Sequence, residues 1–198
     1  MPHTIRQATS ADSDRISTTL AKAFHDDPLK LHLIGGGTVP IEKSKPFFAT
    51  FQKLQLPHGH VYTTDGFEAA ALWAPPDEWK IPFTKVVQHS PTFLKLYGMR
   101  LFNNLGVLAA MEKAHAEIEY PHYYLEIIGT APEFQGKGFG AALVQPMVER
   151  AEAEGVGMYL ESSKESNVAF YGRFGFEVRR ELRLKKGPSL WLMERKPR

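Results

Sequence analysis

Cysteine is absent from the 198 residues of this chain. Disulfides, thiolate metal ligands and a cysteine acyl intermediate are therefore excluded, and a reducing compartment is compatible with the composition. The eight histidines show no spacing typical of metal ligands. His58-Gly59-His60 follows a proline in a loop and is interpreted as a surface turn, so we predict no metal site.

Long apolar runs and strong net charge are also missing. Residues 1–15 contain no apolar core of a secretory signal, and no segment is long enough to cross a bilayer. The net charge is only +2, and basic residues do not alternate with aromatic ones as in many nucleic-acid-binding segments. We therefore expect a cytoplasmic protein that binds neither nucleic acid nor membranes; its oligomeric state is not indicated.

Excess charge of one sign occurs only near the C-terminus. Residues 177–198 contain eight Lys or Arg against three Glu. Such a segment either binds an acidic ligand or protects the edge of a sheet from pairing with another chain. We favour the edge strand.

Length and hydrophobic patterning predict one domain spanning residues 1–198, because 43% of the residues are apolar and no linker interrupts the chain. Residues 75–121 form a helical excursion between two strands, which is expected to cover one end of the sheet. The pattern is typical of an α/β fold with a mixed sheet and helices on both faces. The predicted strands are 4–8, 61–64, 67–74, 123–130, 158–161, 178–184 and 190–193; the other helices are 10–25, 46–56, 140–154 and 167–174.

A glycine-rich turn follows the apolar strand 123–130. Gly136, Gly138 and Gly140 allow positive φ angles and leave backbone N–H groups uncovered. The turn leads into a helix, whose first amides and dipole favour an anion. Lys137 adds positive charge, so the turn is a candidate phosphate site.

Two familiar phosphate-binding motifs do not fit this turn. A P-loop requires Ser or Thr after Gly-Lys, but Gly138 follows Lys137. The Rossmann fingerprint is G-x-G-x-x-G, whereas the spacing here is G-x-G-x-G, and residues 131–135 separate strand from glycines.

The turn instead resembles motif A of the GNAT superfamily of N-acetyltransferases. That resemblance rests on Ile128-Gly129-Thr130, Pro132 and Gln135-x-x-Gly138-x-Gly140. Motif B of the same superfamily is similar to Tyr159-Leu160-Glu161-Ser162, Asn167, Phe170-Tyr171 and Phe174-Gly175-Phe176. The closing Trp191-x-Met193-x-Arg195-Lys196-Pro197 is similar to puromycin N-acetyltransferase-like small-molecule acetyltransferases.

The resemblance implies a mostly antiparallel sheet that splays open where acetyl-CoA, the cosubstrate, binds. It implies that the backbone of Ile128, Gly129 and Thr130 binds the pantetheine arm and thioester. Asn167 is implied to contact the pantetheine or adenosine side, and Tyr171 to lie beside the sulfur. The amides implied to hold the pyrophosphate belong to Gln135, Gly136, Lys137, Gly138, Phe139, Gly140 and Ala141.

Acetyl transfer to an amine also needs acid and base groups. The Ile128 N–H is a candidate donor to the oxyanion, and Tyr171, with an ordinary pKa of about 10, is a candidate acid for the departing thiolate. An alkylamine with a pKa of about 10.4 must lose a proton before it attacks. Glu126 is the candidate base, since it lies in an apolar strand and is expected on the same face as Ile128. A structural carboxylate is the alternative, and Glu161 is the second candidate base.

These observations favour an acetyl-CoA-dependent N-acetyltransferase that acts by direct attack on a primary amine of a small molecule. The aromatic residues of 75–121 suggest a bulky acceptor, such as an antibiotic or xenobiotic. Two alternatives are a protein or peptide amine acetyltransferase and a non-catalytic acyl-CoA sensor. A hydrolase using Ser162 or Ser163 is disfavoured, because the G-x-S-x-G elbow is missing.

Overall fold

One seven-stranded sheet with helices on both faces forms the part of the chain that the computed structural model describes, residues 3–184 and 187–197. The strands are β1 (Ile5–Gln7), β2 (Val61–Thr64), β3 (Ala69–Ala74), β4 (His122–Thr130), β5 (Gly157–Ser162), β6 (Glu177–Arg183) and β7 (Ser189–Arg195). The helices are α1 (Ser13–Ala23), α2 (Pro28–Ile34), α3 (Ile41–Gln55), α4 (Phe83–Tyr97), α5 (Arg100–His115), α6 (Phe139–Glu154) and α7 (Val168–Gly172). The predicted α/β class is confirmed.

The strands lie in the order β1-β2-β3-β4-β5-β7-β6, and every neighbouring pair is antiparallel except β4 with β5. The apolar β4 is the middle strand, as its sequence predicts. β4 and β5 pair only from His122↔Gly157 to Leu125↔Leu160. Beyond Leu125, β4 stays paired with β3 but not with β5, so the sheet opens into a V.

Three clusters of apolar side chains fill the space between sheet and helices. On one face, α6 packs its apolar side chains against Leu125, Leu160 and Met193. On the other face, α1 and α3 pack against Leu72 and Ile127. Near the β5 end, the last turn of α5 packs with Tyr159 and Leu192.

A bulge interrupts β4 at Glu126. Leu72 pairs with Ile127 and the next residue, Trp73, pairs with Leu125, so Glu126 is the extra residue. Side chains of a regular strand alternate between faces, and a bulge changes that alternation. Leu125 and Ile128 therefore both pack toward α6, while Ile127 packs toward α1 and α3.

Helix α2 was not predicted. The sequence Asp26-Asp27-Pro28 was interpreted as the end of a helix, but it also begins the next one. Asp27 Oδ1 accepts a hydrogen bond from Lys30 N at 2.8 Å, and Pro28 occupies the first helical position, where its missing N–H costs nothing.

Helix α3 begins at Ile41, earlier than the predicted start at residue 46. Pro46 lies inside the helix and removes one backbone hydrogen bond. The burial of Phe48, with Phe47 and Phe51 packed beside it, offsets that loss.

The predicted strands 61–64 and 67–74 pair as an antiparallel hairpin, but the second strand, β3, begins at Ala69 and not at residue 67. Phe67 adopts a φ of 63°, and its N–H donates to Thr64 O at 3.0 Å. The Asp65-Gly66 turn is therefore longer than the two-residue turn that the sequence suggests.

Two helices, α4 and α5, lie within residues 75–121. Helix α4 meets α3 where Phe93 packs edge-on against Phe47, with ring centroids 6.1 Å apart. Helix α5 is attached to the sheet through His115, whose Nε2 lies 2.7 Å from Nε2 of His122. Trp79 stacks on the other side of His115 with ring centroids 3.9 Å apart.

Strand β6 forms the edge of the sheet and carries much of the basic C-terminal segment, so the predicted charged edge is confirmed. Its arginines form ion pairs with nearby glutamates, among them Arg180 with Glu117 at 2.9 Å. Of the described helices, none combines the length and apolarity that crossing a membrane requires. Within the same residues, no three His, Asp or Glu side chains gather as a metal site would need.

Candidate active site

A cavity of about 690 Å³ opens where β4 and β5 separate. It runs from the bulge in β4 to the first turn of α6 and is closed on one side by α7 and on another by the connection between α1 and α2. The residues singled out from the sequence that line it are Glu126, Ile128, Gly129, Thr130, Gln135, Gly136, Gly138, Phe139, Gly140, Ala141, Asn167 and Tyr171. One cavity therefore holds the candidate catalytic residues and the glycine-rich turn.

The glycine-rich turn has the conformation that its glycines predict. Gly136 and Gly138 have φ angles of 75° and 89°, in the left-handed region. Helix α6 starts directly afterwards at Phe139 and runs for 16 residues. Nothing lies within 4 Å of the position a Cβ would take at Gly136. The turn thus offers uncovered amides and the positive end of a long helix, which fits a pyrophosphate.

Two residues of the motif have structural explanations of their own. A Cβ at Gly129 would lie 2.7 Å from Cβ of Ala23, so the glycine lets α1 approach β4 closely. The Lys137 side chain folds back on its own turn, where Nζ donates to Glu133 O at 3.0 Å and lies 5.2 Å from the centroid of the Phe134 ring. Lys137 does not line the cavity, and only its backbone remains a candidate for binding phosphate.

Asn167 and Tyr171 lie on the β5 side of the cavity. Asn167 Nδ2 is 3.3 Å from Ser162 Oγ, at the end of β5. The ring of Tyr171 packs edge-on against Phe170 and Phe176, with centroids 5.0 and 5.9 Å away. Burial raises the pKa of Tyr171 above its ordinary value. Tyr171 therefore keeps its proton at neutral pH and can donate a hydrogen bond.

Glu126 and Glu161 occupy equivalent places on the two arms of the V. Each is the first residue after Leu125↔Leu160, the last pair between β4 and β5. Glu126 Oε2 accepts from Gln55 Nε2 of α3 at 3.0 Å. Glu161 Oε2 accepts from the hydroxyl of Tyr124 at 2.8 Å. Both glutamates line the cavity.

The expectation that Glu126 and Ile128 share a face of β4 was wrong. Glu126 reaches Gln55 on α3, whereas the side chain of Ile128 packs with the cluster under α6. The cause is the bulge, because Glu126 is the residue at which the alternation of β4 changes.

Burial raises the pKa of both carboxyl groups. It raises the pKa of Glu126 to about 8, against the opposing effect of the hydrogen bond from Gln55, and the charge of Glu161 raises it further. Burial likewise raises the pKa of Glu161 to about 7, opposed mainly by the hydrogen bond from Tyr124. A carboxylate whose pKa lies near neutrality is suited to accept a proton.

Several cavity residues were not found from the sequence. Asp27 accepts a short hydrogen bond from Ser163 Oγ, and Lys164 Nζ lies 2.8 Å from Asp26 Oδ1. These contacts tie the connection between α1 and α2 to the loop after β5. Gln55 lies 71 residues before Glu126, and no local pattern marks it as a partner of that carboxylate.

A parallel strand pair that opens beside a glycine-rich helix start is the arrangement that the resemblance to N-acetyltransferases implies for an acetyl-CoA site. A sequence profile of the Acetyltransferase (GNAT) family matches residues 64–176. The chain belongs to the GNAT acetyltransferase family, and it is an acetyl-CoA-dependent N-acetyltransferase.

Relatives and solved structures agree with this assignment. The chain is 27% identical over 191 residues to an uncharacterized N-acetyltransferase of Schizosaccharomyces pombe, covering 91% of this chain and 77% of that protein. It is similar to a Corynebacterium glutamicum structure of the histone acetyltransferase HPA2 and related acetyltransferase type, with 25% identity, a TM-score of 0.68 and coverage of 100% and 98% of the two chains. Drosophila melanogaster polyamine N-acetyltransferase shares the fold, with 18% identity, a TM-score of 0.65 and coverage of 98% and 99%.

Proposed function

We propose that this protein transfers the acetyl group of acetyl-CoA to the primary amine of a small molecule, by direct attack while both substrates are bound. The observation that carries the proposal is the single cavity at the V of β4 and β5. It joins the glycine-rich turn, the phenol of Tyr171 and the carboxylate of Glu126.

The cosubstrate fits the cofactor side of this cavity. Residues 126–130 of β4 have no strand partner on the β5 side, so backbone groups along that edge are available to a ligand. Ile128 and Thr130 would bind the pantetheine arm there, and the amides of residues 135–141 would hold the pyrophosphate. Asn167 would bind on the opposite side. Bound in this way, acetyl-CoA supplies an activated acetyl thioester.

The residues around that thioester can move the protons that the reaction requires. Glu126 accepts a proton from the amine, which makes the nitrogen a nucleophile. The Ile128 N–H stabilises the negative charge that develops on the carbonyl oxygen. Tyr171 donates to the leaving sulfur, whose thiol has an ordinary pKa of about 8.5. Because burial raises the pKa of Tyr171, its first contribution is a hydrogen bond to the developing thiolate.

A small acceptor, of antibiotic or xenobiotic type, is favoured by the size and walls of the cavity. Phe24, Leu29 and Met111 give its acceptor side an apolar lining, and Met111 comes from the helical excursion. The Drosophila neighbour catalyses the formation of N-acetylagmatine, and another neighbour of the same fold is an agmatine N-acetyltransferase. We place the reaction in the cytoplasm, in keeping with a chain that has no cysteine.

The proposal is tested by two measurements on the purified protein. Calorimetry is expected to show binding of acetyl-CoA, and thiol release is expected to depend on an amine from a panel of alkylamines, arylamines, aminosugars and short peptides. Absence of acetyl-CoA binding rejects the proposal. Thiol release that requires a peptide would replace the small-molecule acceptor by a protein one.

A matched pair of variants tests where acetyl-CoA binds. Gly136 and Gly155 stand at opposite ends of α6, both with φ in the left-handed region and with nothing within 4 Å of an added Cβ. Gly136→Asp places a negative charge in the phosphate site and is expected to weaken acetyl-CoA binding at least about tenfold. Gly155→Asp imposes similar backbone strain and is expected to leave the affinity unchanged. Equal effects of both variants would locate the pyrophosphate elsewhere.

A further inference from the structure

Two carboxylates lie at the apex of the V, whereas the proposed mechanism uses only one base. Glu126 and Glu161 follow directly after the Leu125↔Leu160 pair, and both line the cavity. In the mechanism above, Glu126 accepts a proton and Glu161 has no part. A second partly buried carboxylate at the same apex is costly unless it is paired or functional.

Neither carboxylate has a cationic partner among the residues that the structure describes. The donors that reach them are neutral, the amide of Gln55 and the hydroxyl of Tyr124. Lys164, which also lines the cavity, is held by Asp26. Asp27, the third carboxylate on the cavity wall, is engaged by Lys30 N and Ser163. Among the described residues the apex therefore holds two carboxyl groups with no cation beside them, and a cationic ligand would stabilise their ionised form.

We infer that Glu161 is the specificity-determining residue that holds the ammonium group of the acceptor, and that the acceptor is an alkylamine which enters the site protonated. The inference rests on the proposed function and adds a role for a second residue of the same site. Glu126, on the arm that would hold the thioester, removes the proton; Glu161, on the other arm, binds the charge.

The groups around the apex agree with this division of roles. Burial raises the pKa of both glutamates toward neutrality, so a cation bound beside Glu161 favours its ionised form. The neighbours of Glu161 are Tyr124 and Glu126 of β4 and Tyr159 of its own strand, and Asp27 lines the same cavity. A cation bound at Glu161 also lowers the pKa of Glu126, since an opposite charge nearby favours the ionised form. Binding of the ammonium thus prepares the base.

The protons balance in this arrangement. The ammonium gives one proton to Glu126, and the free amine forms a C–N bond to the acetyl carbon as the C–S bond breaks. Tyr171 gives its proton to the thiolate, and the second proton that the nitrogen releases as the amide forms restores the phenol. The net proton released by the reaction leaves through Glu126 to solvent.

The test compares an acceptor that is charged with one that is neutral. Phenethylamine enters as an ammonium ion at pH 7.5, whereas the weakly basic p-anisidine enters uncharged. For Glu161→Gln we expect kcat/KM for phenethylamine to fall at least about 30-fold, because a buried charge pair loses one partner, and kcat/KM for p-anisidine to fall less than about threefold. The control is Glu165→Gln, which changes an exposed glutamate that follows β5. We expect it to leave kcat/KM for both amines unchanged.

A non-reacting ligand separates charge binding from catalysis. Phenethyltrimethylammonium and its neutral carbon isostere are compared as competitive inhibitors. We expect the wild-type and Glu126→Gln proteins to prefer the cation by at least about tenfold, and Glu161→Gln to lose that preference while it binds acetyl-CoA normally. If Glu161→Gln does not fold, the preference of the wild-type protein for the cation over its neutral isostere is the measurement that tests the inference.

Each outcome bears on a definite statement. No preference for the cation in the wild-type protein, or equal losses for both amines in Glu161→Gln, overturns the role of Glu161 while the acetyltransferase proposal stands. Failure of every amine to release thiol rejects the proposed function, and the inference falls with it.

Discussion

The two sides of the cavity are built in different ways. The cofactor side is mainly backbone, with glycines, free amides and the start of α6, all within residues 128–141. The proposed acceptor side consists of side chains from distant segments, including Asp27, Met111 and Glu161. Backbone amides can hold a ligand whatever side chains surround them, whereas side chains select by charge and shape. The comparison teaches that acetyl-CoA recognition and acceptor choice can change independently.

The largest effect is expected when the proposed general base on the acceptor side is removed. Glu126→Gln is expected to lower kcat/KM for an alkylamine by about 10³-fold, within the range for loss of a general base. In the wild-type protein the base must be unprotonated, so kcat/KM should rise with pH and level off above about 8, the pKa of Glu126. A pH–rate profile of both proteins checks this. A wild-type rise near pH 8 that persists in the variant would make Glu126 structural.

A somewhat smaller effect is expected on the cofactor side. Tyr171→Phe removes the donor to sulfur and is expected to lower kcat about 10²-fold. The affinity for acetyl-CoA should stay within about twofold, because the amides that hold the pyrophosphate are untouched. Steady-state kinetics and calorimetry measure the two quantities. Phe170→Leu, which alters the neighbouring ring but keeps the hydroxyl, is the control; an unchanged kcat in Tyr171→Phe would exclude the donor role.

The smallest effect is expected from a change in the connection between α1 and α2, and it tests whether the two sides are independent. Asp27→Ala removes the cap of α2 and the contact with Ser163, and it is expected to lower the free energy of unfolding by about 1 kcal/mol, a fall in Tm of about 3 °C. KM for the amine should rise, while acetyl-CoA affinity should not. Asp26→Ala, beside it and more exposed, serves as the comparison. Equal loss of affinity for both substrates would show that the two sides are coupled.

The same contrast explains how much the sequence could predict. Gly136 and Gly138 were identified from the pattern of a glycine-rich turn before a helix, and Asn167 and Tyr171 from the resemblance to motif B of the GNAT superfamily. Glu126 was found because a carboxylate in an apolar strand is unusual. These residues meet in one cavity, as the family resemblance implied; their individual roles stay predictions.

What could not be predicted depends on pairing between distant segments. The bulge turns Glu126 toward α3. It follows from the pairing of Leu72 with Ile127 and of Trp73 with Leu125, which leaves Glu126 as the extra residue. Gln55 reaches Glu126 from a different helix. Helix α2 was missed because Asp-Pro ends one helix and begins another with the same residues.

The opening of the V has a consequence for the cohesion of the sheet. In the described part of the chain, the backbone pairing that joins strands β1 to β4 to β5, β7 and β6 is confined to the four residue pairs from His122↔Gly157 to Leu125↔Leu160. The sheet therefore consists of two halves joined over a short seam. A ligand that bonds to both edges lengthens that seam, and because it binds the folded chain it also raises resistance to unfolding. A ligand bound in this way would share hydrogen bonds with both halves of the sheet.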